Sequence, residues 1–428
     1  MAPASGFISA HGVGTVYELP LPLSLYLGGA AATVLASFGI RAVVERRRPG
    51  AERVVAGPRA ALVAVEVFRV AALVTLVLAV VFAIIEPHEG LTVAPLLFWI
   101  GLVVGTTVLS SIVAGLWERG NPWVTIQNLY LLDQEDRPRN NPPWWVGPLL
   151  VYGLFWFELV SGRGFEPGVI LLVFLGYSIY TLGLRAVWGW DTALTDPFAI
   201  LFGFAGRVAP FKVDDRGILY RGPVAGLDQP AAMPRALFAA VFVLLGSTTL
   251  DNVRETVGWF NFLADTGLDE LPDMLVGSLA LLAFTLPFFV PFAVAVWVAR
   301  RWFAEPVSWS EASRRFGWSL IPIGIAYVLA HNMPLLMTGL PLLINEIFDF
   351  TGRELIADYS PSPKLVWFLE IGLIVGGHIL GVLSAHRIAL RMSGSHAAAV
   401  KSHTTLTLLM GAFTIGTLWL LSLPLVVD

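Results

Sequence analysis

The feature that most constrains this chain is a series of apolar blocks, each about 20 residues long. That is the length an α-helix needs to cross roughly 30 Å of hydrocarbon. The blocks lack the period-two alternation of barrel strands, so they read as helices. Composition agrees: 56% of residues are hydrophobic and 14% charged, against roughly 25% charged in a soluble domain. The expected fold is all-α, a polytopic transmembrane helical bundle in a single integral membrane domain over residues 1–428, with the lipid bilayer as its solvent.

Ten spans are expected by hydropathy: 21–44, 60–85, 92–116, 146–161, 168–187, 236–252, 275–299, 316–340, 365–388 and 404–426. Alternate loops are rich in basic residues. They carry Arg46, Arg47, Arg48, Arg53 and Arg59; Arg119, Arg137 and Arg139; Arg207, Lys212, Arg216, Arg221 and Arg235; Arg300, Arg301, Arg314 and Arg315; and Arg387, Arg391 and Lys401. The opposite loops hold only Arg163, Arg254, Arg353 and Lys364. Such a bias assigns the rich side to the cytoplasm. An even number of spans then puts both termini outside a plasma membrane. Met1–Pro20 has no basic start followed by an apolar core, so it reads as an uncleaved external arm.

Two loops on the basic side are long. Residues 118–145 are polar and Pro-rich, with Trp144 and Trp145 suited to the headgroup level. Residues 188–234 mix apolar pieces with KVDDRGILYRGP, which reads as a turn between two short strands rather than a cation site at Asp214 and Asp215. There is no P-loop and no GxGxxG before a helix, which argues against a nucleotide-driven pump. The net charge of −4 gives no reason to expect a nucleic-acid partner. The chain has no cysteine, so thiolate chemistry and disulfides are absent, and any metal must use His, Asp, Glu or carbonyl ligands.

Ionisable groups at membrane depth are costly and mark functional sites. With ~1.5 Å of rise per residue, Asp251 lies ~24 Å along the sixth span, in its outer third, and His331 on the eighth reaches a similar level. Glu370, ~9 Å into the ninth span from outside, shares that layer. His378 lies ~12 Å further along, turned by about 80°. A metal site of Asp251, His331 and Glu370 suits zinc, iron or copper, and the bound water would be the nucleophile of a hydrolase. His378 would then shuttle protons, and His11 would cap the layer from outside. The same groups equally suit a proton or substrate pathway, or a structural cluster. The different levels of His331 and His378 argue against a bis-imidazole haem. Pro287, Pro291, Pro322 and Pro334 fall inside spans and read as kinks or breaks. Glu66 and Arg69 share a helix face and read as an internal salt bridge. Glu158 reads as reaching water, His386 as contacting headgroups, His396 and His403 as loop or span-edge groups, and His88 as an external loop residue.

Several stretches carry a family resemblance: AHGVGTVYELPLPLSLYLGGAAATVLASF at 10–38, Asn121-Pro122-Trp123, STTLDN at 247–252, AHNM at 330–333 and GHILGVLSAHR at 377–387. Together the chain resembles bacterial multi-pass membrane proteins labelled fenitrothion hydrolase, a membrane-bound organophosphate-cleaving activity. The resemblance implies a hydrolase of phosphotriester or ester substrates and points to His11, Asp251, His331, His378 and His386. The residues alone leave open the alternative of a proton-coupled transporter or an accessory subunit of a membrane complex.

Overall fold

A computed structural model describes residues 23–44, 52–86, 92–130, 142–190, 192–223, 225–348 and 361–423. His11 and His88 lie outside the described residues. The chain is a helical bundle, and within the described residues each of the ten expected segments falls mostly on helix, the third ending in a short strand at Val113–Ala114.

The helices that matter here are α1 (Leu23–Val44), α2 (Pro58–Ile85), α3 (Val93–Ile112), α4 (Val146–Leu159), α5 (Pro167–Trp188), α6 (Pro197–Val208), α7 (Arg235–Arg254), α8 (Asp273–Ala283), α9 (Leu286–Ala299), α10 (Ile321–His331), α11 (Met333–Ile347), α12 (Pro363–Met392) and α13 (His396–Leu421). Among the described residues six helices are long and apolar enough to cross a membrane, or seven if α10 and α11 count as one broken span. The outward face of α2 carries Val63, Val67, Val70, Val74, Val77, Val81 and Ile84, all exposed. In water such a stripe would promote aggregation; in a bilayer it faces acyl chains. The protein is therefore an all-α membrane protein.

The expected breaks are present. Pro287, Pro322 and Pro334 each sit in the first turn of a helix, where the missing N–H costs nothing, and Pro291 lies inside α9. α10 and α11 meet at Asn332 and are bent by 48°. Pro334 has no N–H to offer the Ala330 carbonyl, which is why the helix stops beside His331. α10 packs on α12 through Gly377 and Gly381. A Cβ on Gly377 would stand 2.4 Å from that of Ala326, so these four-residue-spaced glycines set how closely the two helices approach.

Two loops expected on one side and the end of the expected third span come together in a sheet of order β1-β4-β3-β2: β1 (Arg53–Ala56), β2 (Val113–Ala114), β3 (Phe211–Asp214) and β4 (Gly217–Tyr220). β3 and β4 form the expected hairpin around Asp215 and Arg216. Asp214 is held by Arg216 and Lys212, so it closes a turn. The Glu66–Arg69 pair forms at 2.5 Å, but Glu66 is exposed, and Arg69 also donates to the Arg119 carbonyl.

One stretch of the 188–234 loop behaves differently. Pro197–Val208 is a helix with most residues buried, packed against α3, α4 and α10. Asp196 caps it, Oδ1 accepting from the Phe198 and Ala199 N–H groups and Oδ2 from the Tyr177 hydroxyl at 2.7 Å. An Asp-Pro start is a strong helix signal. At 12 residues the helix spans only ~18 Å, too short for a hydropathy window to register as a crossing.

Candidate functional site

Asp251 and His331 meet. Asp251 is 3% exposed, in the last turn of α7, and its Oδ2 is in direct contact with His331 Nε2 at the end of α10. Asn252 fixes the ring: its amide nitrogen lies 3.3 Å from His331 Nδ1 and 3.0 Å from the Thr248 carbonyl. An amide N–H directed at Nδ1 leaves the ring proton on Nε2, facing the carboxylate. Ser247 and Thr248 donate their hydroxyls back to carbonyls of their own helix, so they do not compete for Asp251.

The surroundings are acidic. Arg254 Nε is 3.4 Å from Asp251 Oδ1, and its guanidinium also donates to the Leu159 carbonyl, tying α7 to the end of α4. Glu158 of α4 lines the same cavity as Asp251 and His331. Glu158 and Glu255 both lie within electrostatic reach of His331. The sequence reading sends Glu158 to water; helix rotation instead turns it inward. Its one advance signal is the signal Glu370 gives, a lone carboxylate in an apolar run.

The cavity holds about 20 Å³. That is room for about one water, whose centre needs roughly 10–15 Å³. Val103 of α3 forms part of its wall. Residues 97–105 of α3 are wound as a π-helix, a form that recurs at functional sites. The same stretch borders a larger cavity of about 190 Å³ whose wall has no ionisable side chain.

Glu370, the third expected ligand, is half-buried on α12 within electrostatic reach of His331. Among the described residues no three His, Asp or Glu side chains are grouped so as to hold a metal ion. His378 is 1% exposed, its Nδ1 donating to the Ile374 carbonyl at 2.8 Å, and it does not line the cavity. His386 and His403 are corrections. Both are completely buried rather than at the headgroups or a span edge, and their rings pack on each other between α12 and α13. Their levels are readable from sequence, but their inward rotation is not.

Compared with known protein families, curated proteins and solved structures, the chain matches none. The functional reading therefore rests on its own geometry.

Proposed function

We propose that this protein is a proton-coupled transporter of the plasma membrane, with Asp251 and His331 as its proton-exchanging pair. In this reading the chain crosses the bilayer ten times, the arginine-rich loops and the small sheet face the cytoplasm, and both termini are outside. The observation that carries it is the direct contact of a buried carboxylate with a partly exposed imidazole at the break of a bent span, beside room for one water.

The chemistry follows from the pair. The ion-paired state carries a second proton on Nδ1, for which the Asn252 amide turns its oxygen to the ring, and His331 is then a cation balancing Asp251. When that proton leaves through a water in the adjacent cavity, Asp251 loses that balancing charge while Arg254 stays beside it. Breaking a buried ion pair by removing one charge costs on the order of 3–5 kcal/mol. An energy of that size is close to what moves a two-state equilibrium from one side to the other, about 5.5 kcal/mol. The break at Asn332 is where the chain can yield, letting α11 turn against α10. Discontinuous helices that end at an ion site are the usual architecture of secondary transporters. The hydrolase reading would require space for an ester beside the pair, and the cavity is the size of a water.

The test is a pH jump on proteoliposomes fixed to a solid-supported membrane. The native protein should give a transient current, and Asp251→Asn and His331→Gln should reduce it at least about tenfold. Equal currents from native and variant proteins would overturn the proposal. Metal-dependent cleavage of a chromogenic phosphotriester by the same preparation would favour the hydrolase instead.

A further inference from the structure

A second group of imidazoles lies at the far end of α12, independent of the transport reading. His386 of α12 and His403 of α13 are both 0% exposed, with ring centroids 5.4 Å apart. His396, the exposed first residue of α13, stands 6.1 Å from His386. Phe38 of α1 packs edge-on against the two buried rings, 5.1 Å from His403 and 6.5 Å from His386. His386 is six residues before the end of α12 and His403 seven after the start of α13, so both lie roughly 10 Å in from that end of the bundle. Glu370, which is near the Asp251–His331 pair, is ~24 Å away along α12.

We infer that His386 and His403, with His396 as a third donor at the mouth, form a binding site for a borderline transition-metal ion of the zinc or copper kind. Metal–nitrogen bonds of about 2.0–2.1 Å bring two imidazoles on one ion to ring centroids roughly 5–6 Å apart, which is the spacing of the buried pair. The Thr407 hydroxyl donates to the His403 carbonyl at 3.2 Å, and its oxygen lies alongside the ring, 3.4 and 3.5 Å from the two nitrogens. A neutral imidazole keeps one nitrogen with the lone pair a metal needs. Imidazole nitrogen suits zinc and copper, and a chain without cysteine has no thiolate to compete. In this structure the described residues hold no finished three-ligand set. The pair is the preformed part, and the exposed His396 is both the completing arm and the way in.

Detergent-purified full-length protein, stripped of metal, is titrated with Co(II) and then with Zn(II). One Co(II) equivalent per chain should bind with a visible ligand-field spectrum and be displaced by Zn(II). His386→Gln and His403→Gln should each weaken binding at least about tenfold, His396→Ala less, and Asp251→Asn should leave it unchanged. The idea fails if no equivalent binds, if both glutamine variants bind as the native chain does, or if Asp251→Asn alone abolishes binding, since the ion would then sit at the outer pair. Should the glutamine variants not elute as monodisperse protein, diethylpyrocarbonate modification of the native chain decides instead. Zn(II) should protect the exposed His396 at the mouth, and equal modification of His396 with and without Zn(II) would sink the site.

Discussion

Asp251 is the residue on which the account turns, and its neighbours say what each substitution should do. Asn252→Leu removes the amide that orients the His331 ring while leaving the carboxylate in place. It should slow the pH-jump response about fivefold without abolishing it, because one neutral hydrogen bond contributes about 1 kcal/mol. At the sheet, the Arg216 guanidinium and backbone N–H, with Lys212, pull Asp214 from its ordinary value to about 2. A carboxylate held lower in the fold than in the unfolded chain stabilises above its unfolded value and loses that contribution as pH falls. The melting difference between native protein and Asp214→Asn should thus be full at about pH 5 and close as pH falls from about 4 towards 2, which thermal unfolding in detergent would read. Asp251 and His331 were legible as partners because level follows from helical rise alone. Glu158, His386 and His403 were not, because which way a side chain points around a span depends on packing that hydropathy does not record.

Elements decide whether those residues stay aligned. α10 and α12 approach closely at Gly377 and Gly381, and the same pairing fixes α10, which ends at His331, on α12. Gly377→Ala places a methyl 2.4 Å from the Ala326 Cβ and 2.6 Å from the Pro322 carbonyl oxygen. Such overpacking should cost about 1–3 kcal/mol, visible as a lower melting temperature together with a weakened pH-jump current. A variant with native current and native melting would show that the two helices do not set the site. The break itself was readable from Pro334, as was the hairpin from Asp215-Arg216-Gly217. α6 was not, because a buried 12-residue helix shows neither the length of a crossing nor the amphipathic stripe of a surface helix.

At the scale of the whole molecule, two loops on the basic side and the end of the expected third span join in one sheet, so the faces assigned to them must agree with one another. A chain without cysteine makes the assignment directly testable. A single cysteine at Arg216 should react in intact cells only with a membrane-permeant maleimide, and one at Asp269 should react with an impermeant reagent as well. Reversed labelling would invert the topology while leaving the bundle intact.

The central claim, that Asp251 and His331 exchange a proton inside the bundle, is tested most directly by infrared difference spectra of the reconstituted protein between about pH 5 and 8, the range in which an imidazole exchanges its proton. The account predicts coupled carboxyl and imidazole bands, with the carboxyl band lost in Asp251→Asn and the imidazole band lost in His331→Gln. Difference spectra identical in native and variant proteins would contradict it.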